Sequence, residues 1–127
     1  MNKFWHVGLS VENLDNAISE YEELGLEVKD RFAKDEPRAL AALMIGPSGS
    51  GVELWQWLDE SHPQVEFIRS HVAFLSDEPD ATVERLQSQG YEIVISKTVG
   101  KLVTYTFLRD LSGNFIEIAE AKEGYGS

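Results

Sequence analysis

The chain contains an internal duplication, and this feature limits the possible folds more than any other. The segment from His6 to Val28 (HVGLSVENLDNAISEYEELGLEV) aligns without a gap with the segment that starts at His71 (HVAFLSDEPDATVERLQSQGYEI). The offset between the two histidines is 65 positions. A second pair of segments, GVELWQ and NFIEIAE, places Glu53 and Glu117 at an offset of 64 positions. One histidine and one glutamate therefore recur in register in each half of the chain.

Each half predicts the same order of elements, βαβββ. Asn13 can cap a helix over about 14–24 that Gly25 ends, and Pro79 begins a second helix over about 79–89 that Gly90 ends. Runs rich in β-forming residues predict the strands, which alternate between apolar and polar positions. These strands cover 4–11, 26–33, 39–45 and 51–58 in the first half, and 68–75, 91–96, 102–109 and 114–120 in the second.

Length and composition favour one domain over residues 1–127. With 43% apolar residues the chain can bury a core, whereas each repeat of about 60 residues is small for independent folding. We expect a βαβββ unit over about 3–58, a polar linker over 59–66 (DESHPQVE), a second unit over about 67–121 and a loose tail after Lys122. The predicted class is α+β, with helices on one side of curled antiparallel or mixed sheets.

Composition argues against several classes of function. The chain has no cysteine, so disulfides, thiolate metal sites and cysteine nucleophiles are excluded. Its net charge of −11 argues against nucleic acid and anionic membranes as partners. No run approaches the roughly 18 apolar residues of a membrane span, and the first residues do not predict a signal peptide. The GPSGSG loop is not followed by the lysine of a phosphate-binding loop and predicts a hairpin turn. We expect a cytoplasmic protein.

The duplicated histidines and glutamates point to a divalent metal ion. Side chains alternate along a strand, so Glu53 shares a face with Trp55 and Trp57, and Glu117 shares a face with Phe115. A carboxylate on such an apolar face is costly to bury, and coordination to a cation removes that cost. Two imidazoles and two carboxylates suit Ni, Co, Mn, Fe or Zn, and the sequence does not choose among them.

These repeated segments, HVGLSV and HVAF at the start and VELWQ and FIEIAE at the end, resemble the vicinal oxygen chelate superfamily. The superfamily includes glyoxalase I, methylmalonyl-CoA epimerase, extradiol dioxygenases, fosfomycin-resistance proteins and bleomycin-binding proteins. The resemblance implies two tandem βαβββ units whose curled sheets surround a metal-binding cavity. It also implies one divalent metal ion per site, a homodimer, and a set of ligands that consists of His6, Glu53, His71 and Glu117.

Within the superfamily, this set of ligands is most similar to that of bacterial-type glyoxalase I. The resemblance implies a lyase or isomerase that transfers a proton on a small substrate chelated through vicinal oxygens. Glu117 would be the general base, with Glu53 as its partner on the opposite side. Ser10 and Trp57 stand where glyoxalase I has the arginine and asparagine that help to hold glutathione, so the resemblance does not extend to glutathione dependence.

The aromatic residues near the predicted ligands suggest a cavity for a flat, apolar substrate. We therefore predict substrate contacts from four residues, Trp55, Trp57, Phe115 and Ser10. Two other functions stay open. An extradiol-type dioxygenase would require Fe(II) and take up oxygen. A drug-binding or sequestration protein would use the aromatic residues without catalysing a reaction.

Overall fold

The computed structural model describes residues 2–122, which form eight strands and three helices. These residues divide into two compact units. The N-terminal unit is His6–Ser70, and the C-terminal unit consists of residues 71–122 together with residues 2–5. Both units have the order βαβββ, which confirms the predicted α+β class and the predicted repeat. Within residues 2–122, no helix is both long enough and apolar enough to cross a membrane.

The N-terminal unit forms a four-stranded sheet in the order β2-β3-β4-β1. Strands β1 and β4 are parallel, whereas the other neighbours are antiparallel, so the sheet is mixed. The elements are β1 (Asn2–Ser10, of which the last five residues belong to this unit), α1 (Leu14–Glu23), β2 (Glu27–Asp35), β3 (Arg38–Ile45), β4 (Gly51–Trp57) and α2 (Val65–Ile68).

Helix α1 begins and ends where the sequence predicts. The side chain of Asn13 accepts a hydrogen bond from the backbone N–H of Asn16 at 2.9 Å, and Gly25 follows the helix with a positive φ of 103°. The buried face of the helix packs on the sheet to form an apolar core, whose buried members are Leu14, Ala17, Ile18, Ala42, Met44 and Leu54. The core therefore lies between α1 and one face of this sheet.

The GPSGSG segment forms the predicted turn between β3 and β4. The N–H of Gly46 donates to the carbonyl of Ser50 at 2.9 Å, and the N–H of Gly49 donates to the carbonyl of Gly46 at 3.0 Å. At Gly51, a Cβ atom would lie 1.8 Å from the carbonyl oxygen of Met44. Only glycine allows this close approach, so Gly51 fixes where β4 begins, two residues before Glu53.

The C-terminal unit repeats the arrangement in the order β5-β8-β7-β6, with β5 and β8 parallel. Pro79 occupies the first turn of its helix as predicted, and Gly90 follows the helix with a φ of 104°. The elements are β5 (His71–Ser76), α3 (Pro79–Ser88), β6 (Glu92–Val99), β7 (Val103–Arg109) and β8 (Phe115–Ala121).

The start of β5 differs from the prediction, which put a strand over 68–75. The strand begins only at His71, because residues 65–68 form the short helix α2. Val65 and Ile68 are both buried, and their spacing of three residues puts them on one face of a helical turn. The predicted polar linker thus ends in an apolar helical turn. The tail that we predicted to be loose, residues 123–127, lies outside the described residues.

Candidate metal centre

In the N-terminal unit, parallel pairing of the first and last strands brings His6 and Glu53 together. Gly8 on β1 pairs with Glu53 on β4, and His6 lies two residues before Gly8 on the same face. Because Gly8 has no side chain, the imidazole and the carboxylate can approach each other. The Nε2 atom of His6 lies 3.5 Å from Oε1 of Glu53, with the histidine fully buried and the glutamate side chain 13% exposed.

The C-terminal unit repeats this geometry in the same register. Ala73 on β5 pairs with Glu117 on β8, and His71 lies two residues before Ala73. The Nε2 atom of His71 lies 3.3 Å from Oε1 of Glu117, and both side chains are buried. Ala73, like Gly8, is too small to separate the pair. Each unit thus places its predicted histidine next to its predicted glutamate.

The distances within the two pairs fit ligands of a metal ion. Two donors that each lie about 2.1 Å from one ion are roughly 3.0 Å apart at a right angle and roughly 3.4 Å apart at a tetrahedral angle. A direct charge-assisted hydrogen bond is shorter, about 2.7–2.9 Å. The separations of 3.3 and 3.5 Å are therefore closer to those of neighbouring metal ligands. Two imidazole nitrogens and two carboxylates are groups that could hold a metal ion.

Glu53 is held by a tryptophan on its own strand. The indole Nε1 of Trp55 donates a hydrogen bond of 2.9 Å to Oε1 of Glu53, the same oxygen that lies near His6. Trp55 stacks on Trp57 with the ring centroids 5.1 Å apart and the planes 6° apart. Phe32 packs edge-on against Trp55 at 5.5 Å. The glutamate therefore lies next to a group of packed aromatic side chains.

Ser10 forms a hydrogen bond with one of these aromatic residues. Its hydroxyl accepts a hydrogen bond from Nε1 of Trp57 at 2.8 Å and donates one to the carbonyl of Arg69 at 2.9 Å. A hydroxyl has a single proton, so the one hydrogen bond that Ser10 can donate already goes to the carbonyl of Arg69. The predicted contact of Ser10 with substrate stays a prediction, as do those of Trp55 and Trp57.

In the C-terminal unit, the aromatic residues near the pair come from β7. Phe107 pairs with Glu117 across the sheet, and its ring packs edge-on against the imidazole of His71 at 4.9 Å. Tyr105 packs edge-on against Phe107 at 5.8 Å. The guanidinium of Arg109 lies 5.5 Å from the ring centroid of Phe115, whose predicted substrate contact is also untested.

Sequence reasoning missed two of these supporting residues in different ways. Alternation along the strand predicts that Trp55 shares a face with Glu53, but it does not show that the indole N–H reaches the carboxylate. Phe107 was not connected with His71, because that contact depends on the register of β7 against β8. The sequence predicts a strand over 102–109 and counts Phe107 among the aromatic residues that suggest a cavity, but neither signal identifies its partner.

Three solved structures share the fold over nearly the whole chain. One is a hypothetical protein from Bacillus halodurans C-125, with a TM-score of 0.79, 20% identity and 99% of each chain covered. The methylmalonyl-CoA epimerase from Mycobacterium tuberculosis has a TM-score of 0.77 and 27% identity over 94% of this chain and 88% of its own. A Streptomyces coelicolor methylmalonyl-CoA epimerase variant, in complex with 2-nitronate-propionyl-CoA, has a TM-score of 0.75 and 19% identity over 94% and 96%.

Sequence comparison identifies the family. No curated protein matches this chain by sequence. The family model described as the Glyoxalase/Bleomycin resistance protein/Dioxygenase superfamily matches residues 3–118, which include both histidine–glutamate pairs. This match confirms the resemblance that the repeated segments carry. The chain therefore belongs to the glyoxalase/bleomycin resistance protein/dioxygenase superfamily.

Proposed function

We propose that this protein is a metal-dependent isomerase or lyase that transfers a proton at a carbon next to a carbonyl group. The observation that carries the proposal is the buried histidine–glutamate pair that each unit places in the same strand register, at 3.5 and 3.3 Å. The similarity to the epimerase from Mycobacterium tuberculosis supports it, since epimerisation of methylmalonyl-CoA removes and returns a proton beside a carbonyl.

We further propose that the two pairs together bind one divalent ion through His6, Glu53, His71 and Glu117. The donors of these residues suit Ni, Co, Mn, Fe or Zn. When bound, such an ion supplies a Lewis acid to the carbonyl oxygen of a substrate chelated through vicinal oxygens. Burial of the two imidazoles keeps water from competing for their Nε2 atoms.

The two glutamates take different parts in this proposal. Glu117 acts as the general base that removes the proton from carbon and returns it, which is a role for a positioned carboxylate. Its side chain is 6% exposed, so bulk water has little access to the proton that it carries. Glu53 holds the equivalent strand position in the N-terminal unit and takes part as the partner of Glu117.

Charge favours a small substrate over one that carries several phosphates, such as a coenzyme A thioester. The chain has a net charge of −11. Several of its basic side chains already lie beside carboxylates, in the pairs Arg31–Asp15, Arg69–Glu60, Lys97–Asp80 and Arg109–Glu92. A polyphosphate would have to compete with these acidic partners. The stacked Trp55 and Trp57 instead suit a compact substrate with a flat apolar part.

Elemental mass spectrometry of the protein, before and after reconstitution with each of the five metals, tests the site. We expect about one ion per chain and its loss in His6→Ala. The matched control is His62→Ala, because the third histidine of the chain lies outside both pairs and accepts a hydrogen bond from the N–H of Gln64. Light scattering on the same samples tests the predicted homodimer. Equal metal loss in both variants, or no stoichiometric metal in the wild type, would contradict the site.

Turnover is tested by proton exchange in deuterated water, followed by NMR. The probes are hydroxyacetone, the hemithioacetal of methylglyoxal with glutathione, and methylmalonyl-CoA. We expect metal-dependent deuterium incorporation next to the carbonyl of hydroxyacetone or the hemithioacetal. Faster exchange of methylmalonyl-CoA than of the smaller probes would contradict the argument from charge.

The stacked tryptophans also favour a second function, sequestration of an aromatic compound without chemistry. This function predicts that the binding of a flat aromatic ligand quenches tryptophan fluorescence equally with and without a chelator. Quenching that requires the metal would contradict sequestration and agree with the enzyme.

A further inference from the structure

We propose that Trp55 is a positioning residue whose indole N–H fixes Glu53 in place as a metal ligand. The inference rests on the proposed metal site and goes beyond it, because it names a residue that positions one of the proposed ligands. Its basis is the hydrogen bond from Trp55 to Glu53 and the packing that holds the indole in place.

The hydrogen bond from Trp55 is compatible with coordination by the same carboxylate. Oε1 of Glu53 accepts from the indole at 2.9 Å and lies 3.5 Å from Nε2 of His6. A carboxylate oxygen has two lone pairs, so it can accept one hydrogen bond and still coordinate a cation. Hydrogen bonds to ligating carboxylates orient them and strengthen metal binding. The indole therefore holds Glu53 in the orientation that ligation needs.

Trp55 can serve as an anchor because it is itself held on several sides. It is 5% exposed, stacks on Trp57 and contacts the edge of Phe32. Trp57 is in turn fixed by its hydrogen bond to Ser10, whose hydroxyl donates to the backbone carbonyl of Arg69. This chain of contacts ends at the backbone. If the Glu53 carboxylate rotated away from its position, the hydrogen bond from the indole would break, because the packed indole cannot follow the carboxylate.

The C-terminal unit has different residues at the positions of Trp55 and Trp57. The repeat offset of 64 puts Ala119 at the position of Trp55 and Ala121 at the position of Trp57. A methyl group cannot donate a hydrogen bond, so the residue two positions after Glu117 places no such restraint on it. The aromatic contact in this unit goes to the histidine, since Phe107 packs on His71. Among the contacts described here, an aromatic side chain thus supports the glutamate in the N-terminal unit and the histidine in the C-terminal unit.

Cobalt affinity tests the proposal without any substrate. Trp55→Phe keeps an aromatic ring and removes the N–H, and Trp57→Phe is the matched control because its N–H binds Ser10 instead of Glu53. We expect Co²⁺ binding, measured by competition with a chromophoric chelator, to weaken about 10–100-fold in Trp55→Phe. In Trp57→Phe a ring still packs on Trp55 and the hydrogen bond to Glu53 remains, so we expect a smaller change, below about threefold. Equal changes in both variants would overturn the proposal.

A double-mutant cycle shows whether Trp55 acts through Glu53. In the Glu53→Ala background, the two histidines and Glu117 remain as ligands, and Trp55→Phe should then change the Co²⁺ affinity less than about twofold. A full effect in that background would mean that Trp55 acts by another route and would overturn the proposal.

NMR of wild-type protein labelled with ¹⁵N-tryptophan provides a test that does not depend on whether a variant folds. The chain has three tryptophans, and we expect Co²⁺ to shift the indole N–H signal of Trp55 more than the other two. A smaller shift at Trp55 would overturn the proposal. If the wild type binds no Co²⁺, the proposed function fails together with this inference. If it binds Co²⁺ and the two phenylalanine variants behave alike, only the role of Trp55 fails.

Discussion

The two histidine–glutamate pairs have the same backbone geometry and different surroundings. In each unit a small residue, Gly8 or Ala73, faces the glutamate across parallel strands, and the histidine lies two residues earlier. Trp55 donates a hydrogen bond to Glu53, whereas alanine occupies the corresponding position after Glu117. The comparison shows that strand pairing makes the two ligand positions equivalent and that neighbouring side chains make them unequal.

The two longer helices differ in a similar way. Helix α1 buries Leu14, Ala17 and Ile18, whereas Thr82 is the buried residue of α3. The hydroxyl of Thr82 lies 3.2 Å from the hydroxyl of Ser76. Apolar burial therefore holds α1 on its sheet, whereas the buried contact of α3 is polar. Since apolar burial contributes more to stability than one hydrogen bond between neutral groups, we expect α1 to tolerate core substitutions less well.

The largest expected effect distinguishes the two glutamates. Glu117→Gln should slow proton exchange about 10²–10⁴-fold, the usual contribution of a general base. Glu53→Gln should cause a smaller loss, because an amide oxygen can still accept the Trp55 hydrogen bond and coordinate a metal. Deuterium incorporation into the responsive probe, measured at saturating metal, gives both rates. A larger loss in Glu53→Gln would reverse the assignment of the two roles.

An intermediate effect distinguishes the helices. Ile18→Ala should lower the free energy of unfolding by about 2–5 kcal/mol, because it leaves a cavity in the core under α1. The repeat places Val83 at the matching position of α3, where the side chain is only partly buried. Val83→Ala should cost about 1 kcal/mol. Urea denaturation of both variants measures the difference, and equal losses would contradict the comparison of the helices.

The smallest expected effect concerns the beginnings of these helices. Asn13→Ala should lower the free energy of unfolding by about 1 kcal/mol, because it removes the side-chain cap of α1. Glu78 occupies the matching position before α3, where no side-chain cap forms. Glu78→Ala should stay within about 0.5 kcal/mol of the wild type. Thermal unfolding followed by circular dichroism compares the two, and a greater cost at Glu78 would show that α3 depends on a contact other than a cap.

Sequence reasoning was accurate where the signal is local. Asn13, Gly25, Pro79 and Gly90 mark helix ends through the conformations that these residues favour, and the structure confirms all four positions. The start of β5 was wrong because α2 depends on the burial of Val65 and Ile68, which a polar segment does not reveal.

The sequence by itself determined the repeat, the α+β class and the residues that form the two histidine–glutamate pairs, since the duplication puts the same donors at matching strand positions. Only the tertiary structure decided how those residues are supported. The hydrogen bond from Trp55 to Glu53 depends on side-chain rotamers, and the contact of Phe107 with His71 depends on the register between strands. Both are set by packing among residues from several strands, so alternation along one strand does not specify them.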